Sequence, residues 1–168
     1  LGQIVNSDAR FLSRELAGLG INVFRQVTVG DNPDRLKQAL HESMTRADLV
    51  ITTGGLGPTS DDLTKESVVD LLGYGMELRE EVLEDIQDLY RRRGVEMPRS
   101  NVKQAMFPPE ATVVPNDRGT APGMILSAKA GPGDRPVTAI CLPGPLDELK
   151  HLWIETVRPY RRERFGLE

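Results

Sequence analysis

The sequence predicts an α/β fold, a parallel sheet covered by helices on both faces. Three observations lead there. Short apolar runs, Asp48–Thr53 and Val137–Leu142, read as strands buried on both sides. Segments with helical periodicity alternate with them. Each of the two runs also stops at a small-residue loop, as the strands of open α/β sheets do where ligands collect.

The elements follow in order. Leu12, Leu16 and Leu19 recur at helical spacing, and Gly20 stands where a left-handed cap closes a helix begun near Ser7. Ile21, Val23, Val27 and Val29 share one parity, which predicts a strand. Asn32-Pro33 then reads as an N-cap and first helical residue, with Leu36, Ala39, Leu40 and Met44 forming the apolar face. After the strand at 48–53, Gly54-Gly-Leu-Gly-Pro58 breaks the chain. A helix is expected from about Asp61 or Asp62 to Leu72, ending at Gly73. Arg79–Arg93 is the clearest helix: Val82, Leu83, Ile86, Leu89 and Tyr90 form one stripe, with acids at its start and arginines at its end. Pro98 opens a shorter helix reaching Gln104 and Met106. Ala111–Val114 and Met124–Leu126 predict an antiparallel or irregular strand pair, and Leu146, Leu149, Leu152, Trp153 and Val157 the last helix. No repeat or linker interrupts the 168 residues, so one domain is expected.

Composition narrows the function. The net charge is −4, which gives no global footprint for nucleic acid. No apolar run approaches the ~18 residues of a membrane helix, and no signal peptide is visible, so a cytoplasmic protein is expected. Cys141 is the only cysteine and sits in an apolar strand, where it reads as an inert core residue. With His41 and His151 the only histidines, a thiolate or imidazole metal centre is disfavoured. Arg158, Arg161, Arg162 and Arg164 are diluted by Glu163 and Glu168.

The chemistry gathers in Thr52–Glu66. Glycines at the end of a buried strand let backbone amides turn together toward a phosphate, and the following helix adds positive potential. Gly54, Gly55 and Gly57, with the hydroxyls of Thr53 and Thr59, are candidate phosphate ligands, and Asp61 lies on the same rim. The stretch is neither a P-loop nor a dinucleotide fingerprint: it lacks Gly-Lys-Ser/Thr, and Pro58 interrupts Gly55-x-Gly57-x-x-Ser60. Carboxylates beside a phosphate cradle suit a divalent cation such as Mg²⁺, Mn²⁺ or Co²⁺, with Asp62 and Asp31 as candidate ligands. Lys65 is a candidate for neutralising phosphate charge. Gly119-Thr120-Ala121-Pro122-Gly123 and Pro143-Gly144 are further small-residue loops that would meet the first at one sheet edge.

Taken together, Leu1-Gly-Gln-Ile-Val-Asn6, Thr28-Val-Gly-Asp31-Asn, Thr52–Glu66, Gly119–Gly123 and Leu142–Leu146 resemble the molybdopterin-binding domain family of MoCF biosynthesis, and more narrowly the N-terminal domain of the CinA group. The resemblance implies a three-layer α/β/α sandwich of the MogA/MoaB type with a mostly parallel sheet. It implies a phosphorylated ligand at the glycine loop and catalytic roles for Asp31 and Asp62. It also implies metal-dependent hydrolysis of ADP-ribose or a similar nucleoside diphosphate sugar, and a homodimer or trimer. The related branch implies adenylyl transfer to molybdopterin instead, and the same fold also serves as a non-catalytic nucleotide or pterin module. Family members place an apolar strand before the Leu-Gly-Gln-Ile-Val-Asn stretch. That strand is expected to lie outside this sequence, as is the C-terminal deamidase domain of the longer relatives.

Overall fold

The computed structural model describes residues 6–160. Leu1–Val5 of the first motif and the arginines at 161, 162 and 164 lie outside the described residues.

Helix α1 (Ser7–Gly18) is capped by Asn6, whose side chain accepts from the Ala9 amide. Helix α2 (Pro33–Arg46) begins as its sequence predicts: Asn32 accepts from the Arg35 amide, and Pro33 fills the first turn, where its missing N–H has no partner to lose. Strand β1 (Leu49–Thr53) is followed by the glycine loop and helix α3 (Thr64–Leu71). The helix starts two to three residues later than expected because residues 59–62 form a separate turn, with the Asp62 amide donating to the Thr59 carbonyl. A two-residue strand β2 (Glu77–Leu78) precedes helix α4 (Glu80–Arg92). Arg99–Ala105 is a 3-10 helix, and β3 (Met106–Phe107) after it pairs with β2. Strands β4 (Thr112–Val114), β5 (Gly123–Ala128) and β6 (Val137–Leu142) complete the main sheet. Helix α5 (Leu146–Leu152) continues into a π-helical turn, Trp153–Val157.

The main sheet has the order β1-β6-β5-β4. β1 and β6 are parallel, and β5 and β4 extend the sheet antiparallel, as expected for residues 111–126. Alternation along β5 and β6 separates two cores. Met124, Leu126, Ala128, Val137, Ala139 and Cys141 face α2, α3 and α4. Ile125, Ile140 and Leu142 face α1 and α5. Two helical layers therefore enclose the sheet, an α/β/α sandwich. Trp153 is fully buried in the second core, and its indole N–H donates to Glu15 Oε2 at 2.9 Å.

One predicted element is absent. Residues 21–29 form no strand: they run beside α1, where Gln26 Nε2 donates to Ser13 Oγ, and Val23, Phe24 and Val27 are exposed. A strand needs a neighbour to fill its hydrogen bonds, and no described strand lies alongside this segment. Parity alone carries no information about that neighbour.

Candidate functional site

Strand register brings the three loops together. β1 and β6 run in parallel and end side by side, Thr53 opposite Leu142. β5 is antiparallel to β6, with Met124 opposite Cys141, so β5 starts at the edge where β6 ends. The glycine loop, the 119–123 loop and Pro143-Gly144 thus share one sheet edge. Contact between the first and third is direct. The Gly54 amide donates to the Leu142 carbonyl at 2.9 Å, and a Cβ at Gly144 would lie 3.4 Å from the Gly54 Cα.

Gly54 and Gly55 adopt φ of +86° and +68°, which glycine enters without steric cost. The space beside Gly55 is filled by the loop itself: a Cβ there would sit 2.0 Å from Thr64 Oγ1. At Gly57 it would sit 2.4 Å from Asp62 Oδ2. The last glycine and Asp62 are therefore one device. The Asp62 carboxylate accepts from the Thr59 hydroxyl at 2.5 Å, the Thr59 amide at 3.1 Å and the Gly57 amide. Partial burial pushes its pKa up, but these bonds and the nearby Lys103 outweigh that and hold it below the ordinary carboxylate range.

Lys65 lies elsewhere than expected. It is 4% exposed, and its ammonium donates to the carbonyls of Lys103 (3.3 Å) and Gln104 (3.2 Å) while lying 4.0 Å from the centre of the Phe107 ring. Burial lowers its pKa from 10.5 to about 8. The cation bonded to the loop is Lys103, which donates to the carbonyls of Thr59 at 2.7 Å and Asp62. It also stands 3.6 Å from Glu66 Oε1. Gln104 Nε2 donates to the Leu56 carbonyl at 3.1 Å, and its own amide oxygen accepts from Asn101 Nδ2 at 2.7 Å. Sequence reasoning missed Asn101, Lys103 and Gln104 of the 3-10 helix as site residues. The Asn101-x-x-Gln104 spacing was the available signal.

Asp31 is exposed in the turn before α2 and makes no side-chain hydrogen bond or ion pair to another described residue. Asp61 is exposed as well, 3.4 Å from Ser60 Oγ. Thr53 stands exposed at the end of β1. In the second loop, Asn116 was also missed. Its Oδ1 accepts from the amides of Arg118 and Gly119, and its Nδ2 donates to the Ala121 carbonyl and to Glu148 Oε2. Gly119 packs on Glu148, where a Cβ would lie 2.2 Å from Oε2, and Pro122 and Gly123 are buried. His151 is a helix residue of α5, bonded to Asp117 at 2.8 Å. Cys141 is fully buried, and burial pushes its thiol up to about 11 against a hydroxyl contact from Thr52. It has no nucleophilic role.

Among the described residues no three His, Cys, Asp or Glu side chains cluster tightly enough to hold a metal ion alone. A divalent cation at this edge needs a ligand's oxygens beside those of the protein. Asp62 and Glu66 line one small pocket together with Lys65 and Lys103, which leaves no room for a water-sized group; Glu66 Oε2 is buried with no hydrogen-bond partner among the described residues. Glu66 also walls a groove of about 440 Å³ between α2 and α3, where Asp34, Asp70 and Lys37, the last two paired at 2.9 Å, stand beside Pro33, Leu63 and Ser67.

Fold and site define an α/β sandwich domain that gathers its glycine-rich loops where a parallel strand pair ends. The chain belongs to the family described as probable molybdopterin binding domain, whose model matches residues 1–163. It is 46% identical over 166 residues to a putative competence-damage inducible protein of Symbiobacterium thermophilum, covering 99% of this chain and 38% of that protein. The corresponding protein of Clostridioides difficile is 47% identical over 163 residues, with 97% and 38% covered. The chain thus spans about two fifths of the length of these curated relatives. Among solved structures, the CinA protein of Thermoplasma acidophilum, described as of unknown function, matches with a TM-score of 0.78 and 32% identity, covering 94% of this chain and 90% of that one. A molybdopterin biosynthesis enzyme MoaB of a Thermus species shares the fold at a TM-score of 0.59 and 20% identity, with 99% and 86% covered. No helix among the described residues is long and apolar enough to cross a membrane.

Proposed function

We propose that the glycine-loop site binds the phosphates of a nucleoside diphosphate compound of the ADP-ribose type and hydrolyses its phosphoanhydride bond. The convergence of three small-residue loops on one edge supports this reading above all, since it brings three stretches of backbone amides to one place. The groove of about 440 Å³ beside Glu66 is in the size range of small-molecule sites and takes the rest of such a ligand. Hydrolysis adds water across the P–O–P bridge, giving AMP and ribose 5-phosphate with no redox partner. Asp62 is the proposed holder of a divalent cation that arrives with the phosphates and takes most of its ligands from them. When bound it neutralises charge on the leaving phosphate. The chain's own part is to hold the diphosphate on loop amides and to keep Asp62 ionised, which its hydrogen bonds from Gly57 and Thr59 favour. Asp31 is given a part only in a ligand-bound arrangement, and Lys65 none at the phosphates.

The test is product analysis of ADP-ribose incubated with the purified protein and Mg²⁺, Mn²⁺ or Co²⁺, with and without chelator. AMP and ribose 5-phosphate are expected with metal only, and at least a hundredfold less with Asp62→Asn. Normal turnover by that variant sinks the assignment. Tight binding of ADP-ribose without turnover under any metal would make the domain a nucleotide-binding module.

A further inference from the structure

The 3-10 helix Arg99–Ala105 reaches the glycine loop through two side chains, and both bond to carbonyls. Lys103 takes those of Thr59 and Asp62, and Gln104 takes that of Leu56. All described peptide bonds are trans. In a trans peptide the carbonyl of one residue and the amide of the next point in opposite directions. Three carbonyls drawn toward the 3-10 helix therefore turn three amides, those of Gly57, Ser60 and Leu63, away from it. The ammonium of Lys103 has three donors. Two are committed to carbonyls and the remaining charge faces Glu66 Oε1, so the side chain shapes the loop without reaching a ligand. Lys65 fixes this brace from behind by holding the carbonyls of Lys103 and Gln104.

We propose that Lys103 is the positioning residue of the glycine loop: by holding the Thr59 and Asp62 carbonyls it presents the Ser60 and Leu63 amides to the phosphates of the ligand. This rests on the phosphate-site reading above, but the positioning itself is measurable without ligand. Amide exchange followed by mass spectrometry over residues 54–63 reads the loop, and titration with inorganic pyrophosphate and with ADP-ribose reads the site. In Lys103→Met the loop amides are expected to exchange at least tenfold faster, with β5 and β6 unchanged. Affinity for both probes is expected to fall at least tenfold, and Lys103→Arg, which keeps a donor cation there, is expected to recover much of each loss. Loop exchange within twofold of wild type in folded Lys103→Met overturns the proposal, as does affinity lost equally in Lys103→Arg while the loop stays protected. If the Met variant fails to fold, Lys103→Gln, which retains an uncharged amide donor group, is read against the same limits. Should the wild-type protein bind neither probe, the phosphate-site reading fails and with it the presentation of amides to a ligand, while the exchange data separately decide whether Lys103 shapes the loop.

Discussion

Replacing Lys65 with methionine removes the most deeply buried charge described in the molecule while keeping an unbranched apolar stem of similar reach. Burial holds the Lys65 pKa at about 8, against 10.5 when exposed. That difference corresponds to about 3 kcal/mol of unfavourable interaction carried by the charged form in the folded state. The sign follows from proton counts. Between about pH 8 and 10.5 the unfolded chain keeps a proton on Lys65 that the folded protein has released, so stability rises with pH across that window. Below pH 8 both states are protonated and the contribution is flat. Urea unfolding of wild type and Lys65→Met at pH 7.5, 8.5, 9.5 and 10 isolates the effect, because the other titrating groups are common to both. The wild type is expected to gain about 2 kcal/mol on the variant from pH 7.5 to 10. At pH 7.5 two opposing effects meet in the variant: relief of the buried charge, and the two carbonyls of Lys103 and Gln104 left without their donor, at about 1–3 kcal/mol each if unsolvated. A wild-type-minus-variant difference that stays flat with pH would refute the argument, since burial could not then be suppressing the charge.

Two further predictions concern packing. Gly55→Ala must enter φ near +68° and place its Cβ 2.0 Å from Thr64 Oγ1, so a loss of about 2–3 kcal/mol in urea unfolding is expected; a loss under about 0.5 kcal/mol would show that the start of α3 yields freely. Trp153→Ala empties the centre of the α1–α5 core and leaves Glu15 Oε2 with Arg158 alone, for an expected loss of about 3–5 kcal/mol by the same measurement.

The elements legible in the sequence were those whose signal is local. Leu12 and Leu16 mark a helix face by spacing alone, Asn32-Pro33 starts α2 by its own chemistry, and the apolar runs of β1 and β6 give their burial away. Ile21–Val29 failed because parity describes a chain fit for pairing and leaves open whether a partner stands beside it. Within the site the glycines were legible, but part of their reason was not. Gly55 and Gly57 make room for Thr64 and Asp62 of their own loop, which spacing cannot separate from room for a ligand. Lys65 and Lys103 were hidden for a different cause. A lysine early in a helix reads as solvated until something packs over it, and here that cover arrives with the 3-10 helix 38 residues later.

The close approach of Gly54 to Gly144 bears on how the site comes into being. These two residues are far apart in sequence, yet the Gly54 amide has its partner only after β6 has docked on β1. Closing so long a loop is entropically slow, and its contacts repay that cost late. The glycine loop therefore reaches its final shape only with β6 in place beside β1. In a refolding experiment, recovery of pyrophosphate affinity is expected no earlier than β1–β6 pairing.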